Sequence, residues 1–155
     1  MSTEPKGGAE PTKFERVAAE LPAGFDALRA EARREGYRHL ERLAEEWNSG
    51  KMRFDRDGEA LFAARVGADL AGIGGLTIDP MLAGALRMRR FYVRKSFRRS
   101  GIGRAIAENL LAQAHASDRP VTVNGAAGSE PFWESLRFVA DRNDGHTHVL
   151  RGTKH

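Results

Sequence analysis

The chain has 155 residues, enough for one domain with a core of ordinary size, and no apolar run approaches the roughly 20 residues that a membrane-spanning helix needs. It contains no cysteine, which excludes disulfides, thiolate zinc sites and cysteine nucleophiles and favours a cytoplasmic location. The net charge of +4 is uneven, because eight basic residues and no acidic one lie between Pro80 and Glu108, while the rest of the chain has 17 basic and 21 acidic residues.

The first elements are predicted to be a tail, a short strand and two helices. Met1 to Thr12 is polar, so we expect a loose tail rather than a secretory signal, followed by a single domain over residues 13–155. A short strand is expected from Lys13 to Leu21, before Pro22. Apolar residues then recur at helical spacing in two segments that separate at Gly36, the second ending at Asn48-Ser49-Gly50. These core candidates are Phe25, Leu28, Ala32, Tyr37, Leu40, Leu43, Ala44 and Trp47.

Three strands are predicted next, at Glu59 to Val66, Leu70 to Ile78 and Leu86 to Val93. Gly67-Ala68-Asp69 is a suitable hairpin connection between the first two strands. A bulge or a close backbone approach is indicated in the second strand by three glycines, Gly72, Gly74 and Gly75.

The last third of the chain is predicted to contain two helices and three strands. A helix is expected from about Gly101 to Ala116, a short strand at Val121 to Asn124, and a short helix with Ser129 at its N-cap. Phe138 to Ala140 and His146 to Leu150 are expected to close the chain as a hairpin around Asn143-Asp144-Gly145. This order of elements predicts an α+β fold whose sheet is mixed in direction, because a helix crosses over between strands.

The most informative segment is Arg98-Arg99-Ser100-Gly101-Ile102-Gly103-Arg104, which follows a strand and opens a helix. Glycine lets the backbone approach an anion, and the free N–H groups of a helix N-terminus point at it with the positive end of the dipole. Arginine adds charge and forked donors that suit phosphate oxygens. The segment therefore predicts a site for a phosphate-bearing ligand. A P-loop and a dinucleotide fingerprint fit less well, because the Lys-Ser/Thr pair and the third glycine are absent.

This segment resembles the signature of the GNAT superfamily of acyl-CoA N-acyltransferases, which is an Arg or Gln, two variable residues, Gly, one residue and then Gly or Ala. Arg98 to Gly103 matches every fixed position, and Tyr92-Val93 stands where the family's preceding strand ends. The order of elements agrees over roughly Lys13 to Arg151. The resemblance implies a GNAT-like, mostly antiparallel sheet of about six or seven strands flanked by about four helices.

The resemblance also implies where acetyl-CoA is held, without a metal ion. Main-chain groups would hold the CoA diphosphate at Arg99, Ser100, Gly101, Ile102, Gly103 and Arg104, with Arg98 beside it. The pantetheine arm would pair with the strand before the loop, at Phe91 and Val93. Asn124 would lie close to the pantetheine or acyl end, and the alternative for Asn124 is a turn residue.

The chain departs from the family in the short helix near its C-terminus. Many members carry a tyrosine there whose hydroxyl returns a proton to the departing CoA thiolate, but this chain has Trp133, and Arg137 replaces a glycine. An indole N–H cannot act as a general acid at neutral pH. We therefore expect the thiolate to leave by way of another group or water, and Trp133 to belong to the core or to the wall of the CoA channel.

No residue is identifiable as the base that takes the proton of the attacking amine, and no catalytic residue is assigned. Asp79 is a candidate only by position, since a residue before proline is typically a turn former. His146 and His148 project from one strand face, where a metal site would lack a third ligand. Two polar residues on a solvated strand face are the favoured interpretation.

The basic cluster supports two further interpretations. Arg87 or Arg89 would bind an acidic substrate if either faces the acceptor, and would otherwise face solvent or pair with acidic residues on the helices. The whole cluster would alternatively bind nucleic acid. Its members are Arg87, Arg89, Arg90, Arg94, Lys95, Arg98, Arg99 and Arg104.

The leading hypothesis is an N-acetyltransferase that moves an acetyl group from acetyl-CoA to a primary amine by direct attack in a ternary complex, because no cysteine can carry the acyl group. The alternative is an acyl-CoA-binding module of the same fold with little or no activity. The acceptor would be a small molecule or a peptide, and its identity and the acyl chain length stay open. A homodimer is the default for a small enzyme, and no membrane partner is expected.

Overall fold

The computed structural model describes residues 11–151, which form one seven-stranded sheet and four α-helices. The strands are β1 (Thr12–Arg16), β2 (Ala60–Val66), β3 (Asp69–Ile78), β4 (Leu86–Val93), β5 (Val121–Val123), β6 (Val139–Asn143) and β7 (His146–Leu150). The helices are α1 (Phe25–Arg34), α2 (His39–Ser49), α3 (Ile102–Ser117) and α4 (Glu130–Ser135). The α+β class and the order of elements are confirmed. Thr12, the end of the expected tail, opens β1, and the rest of that tail before Pro11 lies outside the described residues.

The strands follow the order β1-β2-β3-β4-β5-β7-β6 across the sheet. All neighbouring strands are antiparallel except β4 and β5, which are parallel. A parallel pair requires a crossover connection, and α3 provides it. The sheet is therefore mixed and mostly antiparallel, as the sequence predicts.

Each face of the sheet carries its own apolar core. On one face, α1 and α2 bury Leu28, Leu40 and Leu43 completely. On the other face, α3 buries Ile106 and Leu110 completely. Apolar residues three or four apart lie on one side of a helix, so the periodicity of the sequence places both layers. None of the helices in residues 11–151 is long and apolar enough to cross a bilayer.

A β-bulge interrupts β4 in the middle of the sheet. Arg89 pairs with Gly75 of β3 and Tyr92 pairs with Ile73, so two residues of β4 oppose a single residue of β3. The first of these two, Arg90, has a φ of +64°, in the left-handed region that side chains rarely adopt. A bulge of this kind bends its strand and disrupts the ladder locally.

The bulge decides which helical layer each side chain of β4 faces. Simple alternation places Arg90 with Met88 and Tyr92 on one face, and this expectation is wrong for Met88. The extra residue reverses the alternation, so Met88 packs on the α3 side and Tyr92 on the side of α1 and α2. The close approach indicated by the glycines of β3 is confirmed, because a Cβ on Gly74 would lie 2.8 Å from the Phe91 ring.

The hairpin of β6 and β7 turns at Asp144 and Gly145, within the predicted segment. Their φ angles are +49° and +79°, which is the type I′ geometry that matches the twist of two antiparallel strands. Asp and Gly are the residues that this turn favours, so the sequence predicts the turn directly.

Candidate functional site

A gap opens in the sheet where β4 continues beyond the end of β5. The two strands pair only from Leu86 with Val121 to Met88 with Val123. β4 then continues to Val93, whereas β5 ends one residue earlier than the sequence predicts. A cavity of about 750 Å³ occupies the gap, which is a usual volume for a small-molecule site.

Residues from both faces of the sheet line this cavity. Gly103, Phe132 and Trp133 form its wall on the side of α3 and α4. Tyr37 and His39 form its wall on the side of α1 and α2. The cavity therefore connects the start of α3 with the layer formed by α1 and α2, through the gap between β4 and β5.

The edge of β4 at the gap presents the backbone of Phe91 and Val93. The N–H of Arg94 donates to the carbonyl oxygen of Ala71 at 2.8 Å, so alternation along the strand turns the backbone of Phe91 and Val93 away from β3. Their carbonyl oxygens each accept one side-chain hydrogen bond, at 2.7 Å for Phe91 and 2.8 Å for Val93. Both residues line the cavity, where the sequence predicts the pantetheine arm.

The loop before α3 has the backbone of an anion cradle, which we define as residues 99–104. Arg99 and Gly101 have φ angles of +65° and +85°. Residues in the left-handed region turn successive N–H groups toward one side of the chain, which makes a concave site for an anion. The hydroxyl of Ser100 donates to a carbonyl oxygen within the loop, and no side chain caps α3.

The first turn of α3 supplies the N–H groups of the cradle. The N–H of Ala105 donates to the carbonyl oxygen of Gly101 at 2.9 Å. The N–H groups of residues 102–104 have no carbonyl within the helix to pair with. A phosphate placed here would accept hydrogen bonds from these groups and lie at the positive end of the helix dipole.

The side chains of two arginines at the cradle already have partners within the protein. Arg98 forms a two-point ion pair with Glu35 and also donates to the carbonyl at the end of β4. Arg104 donates to Ser135 at 3.0 Å and pairs with Glu108 at 3.2 Å. The side chain of Arg99 has no ion pair among residues 11–151, so the cradle offers an anion its main-chain N–H groups and this one guanidinium.

The residues expected to bind the cofactor gather around one cavity. Five of them line it: Phe91, Val93, Arg98, Gly103 and Asn124. The other five form the adjoining loop and the first turn of α3: Arg99, Ser100, Gly101, Ile102 and Arg104. Their role in binding stays a prediction.

Trp133 packs in the core and also forms part of the cavity wall. Its ring makes edge-to-face contacts, with centroid distances from 4.8 to 5.4 Å, to Phe91, Phe132 and Phe138. The residue is buried and lines the cavity. The expectation of a core residue is confirmed, and a place in the wall of a CoA channel stays a prediction.

His39 is a cavity residue that the sequence does not reveal. Its Nε2 lies 2.7 Å from the carbonyl oxygen of Phe91 and must donate, because a carbonyl oxygen only accepts. In the neutral ring the lone pair is then on Nδ1, to which none of residues 11–151 donates a hydrogen bond. Burial lowers the pKa of His39; the bond to Phe91 opposes this effect, and Arg90 and Arg42 add to it. The neutral base is therefore favoured at neutral pH.

The local sequence around His39 explains why it is missed. It lies between Tyr37 and Leu40 in a stripe typical of a helix core. Its contact with β4 depends on how α2 packs against the bulged strand, and no local pattern carries that information. A histidine at the start of a helix is a weak signal by itself.

Asp79 has a structural role outside the cavity wall. Its Oδ1 accepts hydrogen bonds from the N–H groups of Met81 and Leu82 at 2.8 and 3.2 Å, and its Oδ2 accepts the Thr122 hydroxyl at 2.6 Å. Arg87 pairs with it at 3.2 Å. Burial raises the pKa of Asp79, but the three hydrogen bonds and Arg87 outweigh burial and hold the pKa below its usual value. The interpretation of Asp79 as a turn former is confirmed.

The expectation that His146 and His148 lie on a solvated strand face is wrong. β7 pairs with β5 on one side and β6 on the other, and both histidines are buried. His146 contacts Asp141 and His148 contacts Glu134, each at 3.0 Å, so each ring has one carboxylate partner. Within residues 11–151 there is no group of three or more side chains suited to a metal ion.

Comparison with known proteins gives a family and a set of similar folds. A family model for the acetyltransferase (GNAT) domain matches residues 28–154. A candidate acetyltransferase from Exiguobacterium sp. 255-15 is 26% identical with a TM-score of 0.82, over 91% of this chain and 93% of that chain. No curated protein sequence matches the chain.

Several of the similar structures contain acetyl-CoA or CoA. A GNAT acetyltransferase from Brucella melitensis in complex with acetyl-CoA is 16% identical with a TM-score of 0.65, over 92% of this chain and 88% of that chain. A GNAT N-acetyltransferase from Escherichia coli in complex with CoA is 14% identical with a TM-score of 0.68, over 97% of this chain and 85% of that chain. At these identities the likeness concerns the fold.

Proposed function

The chain belongs to the GNAT acetyltransferase family, and from this premise we propose that it transfers an acetyl group from acetyl-CoA to a primary amine. One observation carries the proposal: a single cavity joins the anion cradle at the start of α3 to the open edge of β4. A cradle of N–H groups suits a diphosphate, and a strand edge suits an extended chain that contains amides. Acetyl-CoA has both parts in this order.

The cavity residues have separate roles in this proposal. The N–H groups of residues 101–104 hold the diphosphate, and the backbone of Phe91 and Val93 holds the pantetheine arm. The amide of Asn124, directly after β5, lies at the acyl end. Gly103 lines the channel, and a Cβ there would be in ordinary contact with the side chains of Val93 and Phe132, 3.4 and 3.9 Å away, so a longer side chain would extend into the channel.

In the proposed reaction the amine nitrogen attacks the thioester carbonyl carbon. The carbon–nitrogen bond forms, the carbon–sulfur bond breaks, and the acetyl group passes directly to the amine because the chain has no cysteine to carry it. Backbone N–H groups at the edge of β4 polarise the carbonyl group. Much of the rate enhancement would come from holding both substrates in one cavity.

His39 is the residue that we assign to the amine proton. Its Nε2 is fixed on Phe91, so Nδ1 is free to accept the proton directly or through a water. The thiolate takes its proton from water. Trp133 cannot supply that proton, and the Tyr92 hydroxyl is bonded to Glu35, with a pKa raised by burial and by that carboxylate.

The first test is a calorimetric titration with acetyl-CoA, free CoA and ATP at two salt concentrations. We expect micromolar binding of acetyl-CoA and CoA that ATP does not match, because ATP has no pantetheine arm for the edge of β4. Absence of CoA binding at both salt concentrations would overturn the proposal.

A variant of Gly103 tests where CoA binds. Gly103→Leu places a side chain in the channel and is expected to weaken CoA binding about tenfold or more, or about 1.4 kcal/mol. It removes a glycine from a helix, which stabilises helices by about 0.5–1 kcal/mol, so a lower melting temperature is not expected. Asn109→Leu, on the exposed side of the same helix, is the matched control and should bind CoA as the parent does. Equal CoA affinity in the two variants would contradict the placement.

Turnover separates the enzyme from the binding module of the same fold. A panel of primary amines is incubated with acetyl-CoA, and the release of CoA thiol is measured. Thiol release that depends on the amine supports the transferase. Tight acetyl-CoA binding without amine-dependent release across the panel would favour the binding module.

A further inference from the structure

The cavity has an arginine wall, which we define by the charged residues that line it. Among the described residues, five arginines line the cavity, and no aspartate or glutamate does. The members of the arginine wall are Arg42, Arg87, Arg89, Arg90 and Arg98. A wall with one sign of charge raises the local concentration of ligands of the opposite sign.

Three members of the arginine wall are neutralised by carboxylates that lie behind them. Arg87 pairs with Asp79 at 3.2 Å, and its guanidinium also donates to Thr122. Arg90 pairs with Glu46 at 2.9 Å. Arg98 forms the two-point pair with Glu35 described above. These three therefore add little net charge to the cavity.

The side chains of the other two members, Arg42 and Arg89, have no hydrogen bond and no ion pair with any of residues 11–151. Arg42 is exposed on α2, whereas Arg89 is half-buried on β4. Burial and then the neighbouring Arg90 lower the pKa of Arg89, and the carboxylates of Glu46 and Asp79 offset this only in part. Charges in proteins are rarely buried without a partner. Arg89 is half-buried in a ligand cavity and has no counter-ion in the protein. An anionic ligand would supply one.

Arg89 lies away from the anion cradle. Val93 lies next to Gly103 of the cradle. Arg89 precedes Val93 by four positions, which separates the two residues by about 13 Å along an extended strand and by somewhat less across the bulge. It also follows Met88, which faces α3, so its side chain lies on the side of α1 and α2. The CoA diphosphate would therefore occupy one end of the cavity and leave Arg89 free at the other.

We propose that Arg89 and Arg42 bind an anionic group of the acceptor, so that the acceptor is a primary amine that also carries a carboxylate or a phosphate. The inference rests on the proposed function, because it names the substrate class for the same site. α2 begins at His39 without a side-chain cap, and the positive end of its dipole adds to the attraction. Polyamines and aminoglycosides are disfavoured as acceptors, because they would bring further positive charge to the arginine wall.

The test uses pairs of amines that differ in the anion. Protein saturated with free CoA, which cannot react, is titrated by calorimetry with glycine against glycinamide and with O-phosphoethanolamine against ethanolamine. We expect at least one anionic member to bind tenfold or more tightly than its neutral partner. The first pair reports a carboxylate and the second a phosphate, so the two arms distinguish the source of the anion.

Charge reversal tests whether these arginines are responsible. Arg89→Glu is expected to abolish the preference for the anionic member, with acetyl-CoA affinity unchanged. Thermal melting checks that Arg89→Glu folds. Arg42→Glu, on the exposed side of α2, is expected to reduce the preference as well, and it provides a second test if Arg89→Glu does not fold. Arg142→Glu changes the net charge equally, but its exposed site on β6 is outside the cavity, so it should keep the preference.

The outcomes separate this inference from the proposed function. If acetyl-CoA binds but neither anionic amine binds more tightly than its neutral partner, the inference is overturned and the acetyltransferase proposal stands. An equal loss of preference in Arg89→Glu and Arg142→Glu would also overturn it, because the effect would come from net charge alone. Absence of acetyl-CoA binding would overturn the proposed function and this inference with it.

Discussion

Among the individual residues of the cavity, His39 is the one best suited to act as a base. Its environment comprises the rings of Tyr37 and Tyr92 and the cations of Arg42 and Arg90, with no carboxylate within ion-pair distance among residues 11–151. Neighbouring cations and burial both disfavour the imidazolium, so its pKa lies below the ordinary 6.5. A histidine in this state can accept a proton at neutral pH.

His39→Gln removes the base but leaves a side-chain N–H that can donate to Phe91. We expect kcat to fall about 100-fold, within the usual range for general base catalysis, with little change in the KM for acetyl-CoA. In the parent protein the activity should be lost as the pH falls through the lowered pKa of His39, below about 6.5. Protonation of the amine substrate slows both proteins equally, so the ratio of the parent rate to the variant rate reports only the contribution of His39. This ratio should fall toward one at acid pH, because protonated His39 cannot act as a base.

The control for His39 is His115→Gln, at an exposed position in the last turn of α3. It should retain the rate and the pH profile of the parent. A ratio of parent to His39→Gln that is independent of pH would contradict the role as base and leave His39 as a residue that positions β4.

At the scale of the element, Asp79 ties three neighbouring strands together. It lies directly after β3, pairs with Arg87 of β4 and accepts the hydroxyl of Thr122 on β5. The pairing of β4 with β5 is only three residues long, so this cluster stabilises the closed end of the gap. The cluster of Asp79, Arg87 and Thr122 therefore keeps β4 and β5 paired next to the point where the two strands separate.

Asp79→Ala leaves the buried guanidinium of Arg87 without its carboxylate and is expected to cost about 3–5 kcal/mol of unfolding free energy. The folded-state pKa of Asp79 is lowered, so its contribution is present above the unfolded pKa of about 3.9 and is lost as the pH falls through the folded value. The difference between parent and variant should therefore be largest near neutral pH and shrink below about pH 4. Urea unfolding across this pH range measures it.

The matched control is Asp69→Ala, at the exposed first residue of β3. The side chain of Asp69 makes no hydrogen bond or ion pair with the other described residues, so its loss should change the unfolding free energy by about 0.5 kcal/mol or less. An Asp79→Ala variant no less stable than this control would contradict the role of Asp79 in holding the strands.

The sequence predicts the elements of this fold better than it predicts the geometry of β4. Helical spacing identifies α1 to α3, and Asp144-Gly145 identifies the last turn, because these signals are local. The bulge at Arg90 depends on the pairing of β4 with the glycines of β3, which periodicity within β4 does not show. Arg137, where the family has glycine, has a φ of +78°, so the departure seen in the sequence falls at a position that favours glycine.

Some parts of the candidate site can be predicted from the sequence and others cannot. The anion cradle can be predicted because its glycines and arginines are contiguous, whereas His39 reaches the cavity only through the packing of α2 on β4. Burial of His146 and His148 also depends on tertiary structure, since His148 contacts Glu134 of α4 and His146 contacts Asp141 of β6. A site formed by contiguous residues can thus be predicted from the sequence, whereas contacts between the sheet and its helical layers cannot.

At the scale of the whole molecule, ion pairing changes the meaning of the basic cluster. Five of its eight members pair with carboxylates: Arg87, Arg90, Arg94, Arg98 and Arg104. Arg94 pairs with Glu31 of α1 and Arg98 with Glu35 at the C-cap of α1, so these two carboxylates neutralise the basic end of β4. The three members without an ion pair among residues 11–151 are Arg89, Lys95 and Arg99. The high local charge in the sequence therefore becomes a modest local charge in the fold.

This charge balance predicts weak binding to nucleic acid. Each neutralised phosphate contributes about −0.9 to the slope of log affinity against log salt, so three free cations limit the slope to about −3, whereas all eight would give about −7. Fluorescence anisotropy of a labelled DNA duplex over a salt series measures this slope, and excess CoA should displace whatever binds at the anion cradle. A slope near −7 that excess CoA does not alter would show that the ion pairs open to bind a polyanion, and would favour nucleic-acid binding over the acetyltransferase proposal for this cluster. With a slope of −3 or shallower, the arginines serve mainly to hold α1 against β4 and to set the charge of one cavity.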